Sequence, residues 1–239
     1  MIELDKIYNM DCLEGMKQIP NNSVDLIITD PPYEFVGNKE KYGGRGAFGS
    51  IGREYHSELE NAGIIGGFDR SAIMEECKRI MKKVNIYIWC SKEQIKWYLN
   101  FFDDYNMELL SWHKTNPIPT CCNKYLSDTE YLLFFREKGV KLYGDFNSKK
   151  KYWLQPVNKT DKELYGHPTI KPLNIIRTLV LNSSLEEQIV CDPFMGSGTT
   201  AVACMLANRR YLGFELNKDY YNKSMERINK EKMQLSLFK

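Results

Sequence analysis

Residues 190–204 read VCDPFMGSGTTAVAC: a β-branched run closing on an acid, a glycine-rich turn, then a helical pattern of small and apolar residues. Gly196, Gly198 and Ala201 fit the G-x-G-x-x-G/A spacing of a strand-to-helix turn in a nucleotide-binding α/β unit. At such a turn the backbone approaches a ligand closely, and the N-terminus of the following helix favours an anionic group such as a carboxylate. No Gly-Lys-Ser/Thr follows, so this is not a phosphate-cradling P-loop. The next β-rich run, Tyr211–Phe214, ends against Glu215, an acid placed where a ribose diol is gripped. By itself the turn fits a nicotinamide-dependent oxidoreductase equally well.

Outward from this turn, short β-branched and aromatic runs alternate with helical patterns. The other strands are predicted at Lys6–Met10, Val24–Thr29, Asn85–Cys90, Glu108–His113, Glu130–Phe135 and Gln188–Cys191. Helices are predicted at Ser71–Lys82, Lys92–Phe102, Pro172–Leu181, Thr199–Ala207 and Lys218–Lys230. This alternation predicts an α/β fold: a mostly parallel, seven-stranded sheet with helices on both faces. The link between Glu108–His113 and Glu130–Phe135 is too short for a helical crossover, so these two strands are expected to be antiparallel. A single domain over residues 1–239 is expected, with loop insertions at 34–68 and 137–166. The first holds nine of the sixteen glycines, and loops this long in a compact domain usually serve binding.

The overall charge is nearly balanced, +2 from 33 Lys and Arg against 31 Asp and Glu. Basic residues nevertheless gather between Arg136 and Lys162, eight against three acids, interleaved with Tyr143, Phe146, Tyr152 and Trp153. That mixture suits nucleic-acid contact, and Lys149, Lys150 and Lys151 are its densest part; a solvated surface loop is the plainer reading. At 43 % hydrophobic and 27 % charged residues, the composition excludes disorder and collagen. No apolar run approaches the ~20 residues of a membrane span, and MIELDKIYNMD opens the chain without a secretory pattern. Seven scattered Cys without a CxxC pair predict reduced thiols, a cytoplasmic location and no metal site.

Asp30-Pro31-Pro32-Tyr33 follows the apolar run VDLIIT. The two prolines fix two φ angles and remove two donors, leaving a stiff turn with free carbonyls. A carboxylate and a carbonyl at the end of a buried strand match the two hydrogens of an exocyclic amine, and Tyr33 offers a face on which a base can stack. An ordinary strand-ending turn would have the same sequence. His167-Pro168-Thr169-Ile170-Lys171-Pro172 reads locally as a loop leading into a proline-started helix. His56 and His113 read as surface or core residues.

Together these pieces resemble the S-adenosylmethionine-dependent DNA amino-methyltransferases. NMDCLEGMKQIPNNSVDLIITDPPY, IYIWCS, WHKTNPIP, HPTIKP, DPFMGSGTT and YLGFELNKDYY are similar to that family's blocks, in order over nearly the whole chain. The catalytic DPPY precedes the cofactor turn, the circularly permuted order of the family's β class, with a Rossmann-like methyltransferase fold. The resemblance implies a row of acids at neighbouring strand ends: Asp11, Glu215, Asp192 and Asp30. It assigns Asp11 and the Cys12 backbone to the cofactor's adenine and Glu215 to its ribose. Asp192, Phe194 and the turn Gly196, Ser197, Gly198, Thr199 and Thr200 go to its methionine part, with His167, Thr169 and Lys171 near the carboxylate. Asp30 borders the cofactor as well as the target base.

The implied activity is site-specific adenine-N6 methylation of DNA, with Asp30, Pro31, Pro32 and Tyr33 acting on a flipped-out base. The alternatives are cytosine-N4 methylation by the same chemistry, a NAD-dependent oxidoreductase and an inactive DNA-binding relic. The family tends to carry Ser where this chain has Asp30 when cytosine is the target, which favours adenine. A homodimer and a cognate restriction endonuclease are the further partners that the family offers.

Overall fold

The computed structural model describes residues 2–32, 68–117, 125–158 and 170–236. Within them lie strands β1 (Lys6–Tyr8), β2 (Leu26–Thr29), β3 (Asn85–Cys90), β4 (Asn106–His113), β5 (Thr129–Arg136), β6 (Tyr152–Leu154), β7 (Ile189–Asp192) and β8 (Arg210–Phe214). The helices are α1 (Cys12–Met16), α2 (Arg70–Ile80), α3 (Ile95–Phe101), α4 (Leu173–Ser183), α5 (Thr199–Leu206) and α6 (Lys218–Ser236).

The strands form one sheet in the order β1-β8-β7-β2-β3-β5-β4-β6. β5 runs antiparallel to both its neighbours, and the remaining pairs are parallel. The predicted reversal between the strands near 108–113 and 130–135 is therefore present. Among the described residues the sheet has eight strands rather than the expected seven. The extra strand, β6, lies inside the stretch expected to be a loop, pairing Ser111 with Tyr152 and His113 with Leu154. Its run Tyr152-Trp153-Leu154 is only three residues long and sits at the sheet margin with Tyr152 and Leu154 exposed, too short to announce a strand. Helix α1 also went unpredicted, being only five residues long.

Side chains alternate between the two faces of the sheet. Leu26, Ile28, Tyr87, Trp89, Leu132 and Phe134 pack toward α4, α5 and α6. Ile27, Ile86, Ile88, Leu133 and Phe135 pack toward α1, α2 and α3. With both faces covered, β2 and β3 are buried throughout, which explains their apolar runs LII and IYIWC. Five cysteines among the described residues are buried and free; Cys121 and Cys122 lie outside them. No described helix is long and apolar enough to cross a membrane.

Candidate active site

Four adjacent parallel strands, β1, β8, β7 and β2, end on the same edge, and each delivers an acid there. Asp11 lies just beyond β1, Glu215 directly after β8, Asp192 closes β7, and Asp30 follows β2. The row implied by the resemblance is thus built by sheet order alone, at the carboxyl edge where open α/β sheets bind ligands.

Asp11, Glu215 and Asp192 are each anchored by backbone N–H groups. Asp11 caps α1, its Oδ1 accepting from Leu13 N at 2.9 Å and Glu14 N at 3.1 Å. Glu215 accepts from Gly196 N and Asn217 N, both at 2.8 Å. Asp192 accepts from Phe194 N at 3.0 Å and from Thr200 Oγ1 at 2.6 Å. Burial pushes the Asp192 carboxyl up to about 7 against these two donors, with the Asp30 and Glu215 charges adding to the rise. Burial likewise raises Glu215, opposed by the N–H groups of Asn217 and Gly196. The Cys12 thiol is pushed up to about 12, first by burial, and stays protonated.

The glycine turn is held from below. Gly198 precedes α5 with φ of +78°. A Cβ there would sit 3.1 Å from the Ser224 Cβ on α6, so both the conformation and the packing call for glycine. From α6, the buried Arg227 donates to Thr199 Oγ1 at 2.8 Å and Ser197 O at 3.2 Å.

A carboxylate oxygen has two lone pairs, so Asp11 and Glu215 retain acceptor capacity for an amino group and a diol. Asp192 is a buried acid that a nearby cation would ionise. The donor set therefore fits a nucleoside carrying a cationic sulfonium. Among the described residues, no cluster of three His, Cys, Asp or Glu is arranged to hold a metal ion.

At the β2 end of the row, Lys171 Nζ lies 2.5 Å from Asp30 Oδ2 and 3.2 Å from Glu130 Oε2. Lys171, expected beside the cofactor's carboxylate, has its amino group against the acid of the DPPY turn. Pro32 O accepts from Gln94 Nε2 at 3.2 Å, while Gln94 Oε1 accepts from Ser91 N at 3.0 Å. The buried amide thereby ties the turn to the end of β3. Tyr33, His167 and Thr169 lie outside the described residues, as do His56 and nearly all of the glycine-rich insertion. His113 is half-buried in β4, its ring nitrogens facing the hydroxyls of Ser111 and Thr129.

The basic segment packs beside the sheet margin, where Tyr143 N donates to Asn182 O and Asn182 Nδ2 donates to Ser148 O, near the C-terminal end of α4. Lys149 and Lys150 are exposed, and Lys151 is ion-paired with Glu108. These lysines are not gathered with the acid row. Glu130, Lys114, Gln94 and Arg227 had no place in the sequence reading. Only Arg227 left a local trace, as a charged residue next to Ile228 on the helix side that faces the sheet.

A model of the family described as "DNA methylase", of the N6/N4 type, matches residues 24–226. The chain is 27 % identical to the type II methyltransferase M2.MboI of Moraxella bovis, covering 93 % of this chain and 87 % of that one. It is 26 % identical to M.HinfI of Haemophilus influenzae, covering 96 % and 69 %. Among solved structures, the M1.HpyAVI–SAM complex matches with a TM-score of 0.66 at 26 % identity, covering 93 % of this chain and 98 % of that one. The cytosine-N4-specific PvuII methyltransferase shares the fold, with a TM-score of 0.69 at 15 % identity over 92 % and 84 %. With the matched segment running from the strand before Asp30 to the helix behind the glycine turn, the chain belongs to the N6/N4 DNA methylase family.

Proposed function

We propose that this DNA amino-methyltransferase acts on the N6 amine of adenine, with S-adenosylmethionine as the methyl donor. The observation that carries the reading is a carboxylate, Asp30, at the end of the acid row and on the stiff turn that follows β2. S-adenosylmethionine supplies, when bound, an electrophilic methyl group on a sulfonium.

The amine is a poor nucleophile because its lone pair is delocalised into the ring. Asp30 and the Pro31 carbonyl accept its two hydrogens and draw nitrogen toward tetrahedral geometry. Acceptance strengthens as positive charge develops on nitrogen, so it favours the transition state over the ground state. The N–C bond forms as the S–C bond breaks, and one amine proton then leaves by way of the Asp30 carboxylate. Base stacking hides this nitrogen in duplex DNA, so the base is flipped out and stacks on Tyr33. Asp11 and the Cys12 backbone hold the cofactor's adenine and Glu215 its ribose. Asp192, Phe194 and the turn from Gly196 to Thr200 surround its methionine part, with His167 and Thr169 at the carboxylate.

DNA contact is assigned to the segment 137–166, with Lys149, Lys150 and Lys151 on phosphates, together with the glycine-rich insertion. The proposed setting is the cytoplasm, with a second copy of the chain and a cognate restriction endonuclease as further partners.

Nucleosides from the DNA of cells expressing the protein should contain N6-methyladenine at one short sequence. N4-methylcytosine in its place would replace adenine by cytosine as the target, and no modified base would remove the activity.

Asp192 sets a pH dependence for cofactor binding. In the free protein it takes up a proton as pH falls through about 7, whereas a cation beside it favours the ionised form. Binding below that pH therefore releases a proton. Affinity should fall by up to about tenfold per pH unit below 7 and level off near neutrality. Calorimetric titration of S-adenosylmethionine should show this slope, and Asp192→Asn should remove most of it. A wild-type profile flat below pH 7 would place the cation away from Asp192.

A further inference from the structure

Behind Asp30 lies a chain of alternating charges drawn from four parts of the fold. Lys171, ahead of α4, touches both Asp30 and Glu130. Glu130, on β5, also receives Lys114 Nζ at 2.6 Å on its other oxygen. Lys114 follows β4. Two aromatic faces support the ammonium groups: Trp89 at 5.2 Å from Lys171 and Trp112 at 5.3 Å from Lys114. The Lys171 side chain is only 6 % exposed and that of Glu130 15 %.

We propose that Lys171 and Glu130 are positioning residues, which fix the orientation and effective charge of the Asp30 carboxylate toward the target amine; this rests on Asp30 being the acceptor. Lys171 engages Oδ2 and so sets the rotation of the carboxylate about its Cβ–Cγ bond. A single ammonium on Asp30 would neutralise much of its charge and weaken it as an acceptor. Glu130 shares that ammonium, and Lys114 in turn balances Glu130, leaving the four groups neutral as a set.

The protonation states agree with this division. Burial would lower Lys171, but Asp30 and Glu130 together raise it above its ordinary range. Burial would raise Glu130, but the Lys171 and Lys114 charges outweigh it and hold the carboxyl low. Asp192 and Cys90 also couple to the Asp30 charge from β7 and β3, and Arg70 to Cys90 from α2.

The test is a set of variants read by single-turnover methylation of duplex DNA at saturating cofactor, with DNA affinity, S-adenosylmethionine affinity and unfolding midpoint measured on the same preparations. Lys171→Met should slow methyl transfer on the order of 10²-fold, as expected when a reacting group is misplaced by about 1 Å. In an Asp30→Asn background the same change should cost less than about threefold, because the two residues act as one unit. Glu130→Gln keeps the shape of its side chain, removes the shared charge and should slow the step about tenfold while leaving both affinities unchanged. It also carries the test if Lys171→Met fails to fold.

Equal losses from Lys171→Met in both backgrounds would overturn the inference. A fall in cofactor affinity with an unchanged single-turnover rate would overturn it too, moving Lys171 to the cofactor. A large loss in Asp30→Asn with no effect of Lys171→Met or Glu130→Gln would overturn it while sparing the role of Asp30. Wild-type activity in Asp30→Asn would overturn both.

Discussion

Replacing Asp30 with alanine should lower methyl transfer by a factor on the order of 10²–10³, the scale set by removing one preorganised hydrogen-bonding group from a transition state. DNA binding and the fold should persist. Asp30 lies beyond the last residue of β2 with 22 % of its side chain exposed, so its truncation opens no core cavity. Its cationic neighbour is not stranded either, because Lys171 keeps Glu130 as a partner. Removing one member of a buried pair is costly when the other is left uncompensated. The contact with Glu130 reduces that cost although one positive charge is left in excess, and Asp30→Asn, which keeps an acceptor for Lys171, is the control for stability. Asp30→Ser is the informative companion: it retains an acceptor without the negative charge, so its residual rate measures what geometry alone contributes. Single-turnover methylation and DNA binding on the same preparations decide the matter. Methylation by Asp30→Ala at nearly the wild-type rate would reduce the Asp-Pro-Pro-Tyr turn to a structural element.

The second large effect is on stability. Phe134 is 1 % exposed and stacks on Tyr87 with ring centroids 4.1 Å apart and planes 12° from parallel. Tyr87 in turn shares a hydrogen bond of 2.8 Å with Ser183 at the end of α4. Phe134→Ala should therefore cost about 3–5 kcal/mol, seen as a fall in unfolding midpoint of roughly 10 °C for a chain of this size. Phe134→Leu keeps most of the volume and should cost less than about 1.5 kcal/mol. Denaturant titration of the three proteins gives both differences. A loss below about 1 kcal/mol in the alanine variant would mean that the helical layer closes over the gap, the relaxation that sets the lower end of the cavity range.

The predicted helices and seven of the strands were legible because their signals are local. β3 was legible because, after Asn85, it is an unbroken run of β-branched, aromatic and thiol side chains, the mark of a strand buried on both faces. β6 was not, because a three-residue marginal strand with two exposed side chains takes its existence from pairing with β4. α1 did carry a signal that went unused: Asp11 followed three residues later by Glu14, the spacing of a helix start, and Asp11 does cap that helix. In the candidate site, the acids at strand ends were legible because motif and strand end coincide. Glu130 and Gln94 were not. Their part depends on which strands lie side by side and on where a loop falls, and neither is encoded by spacing along the chain.

The sheet order also bears on when the site comes into being. β2, with Asp30, is made well before its neighbour β7, and β1 waits for β8. The contact between Tyr211 N and Asp5 Oδ1 spans 206 residues, a separation that slows folding because long loops must close first. A ribosome-bound chain that has released Asp30 has as yet no glycine turn and no Glu215, the residues proposed to seat the methyl donor. On the proposed reading, activity waits until β8 and Glu215 have been made, and a product truncated before them would not methylate DNA.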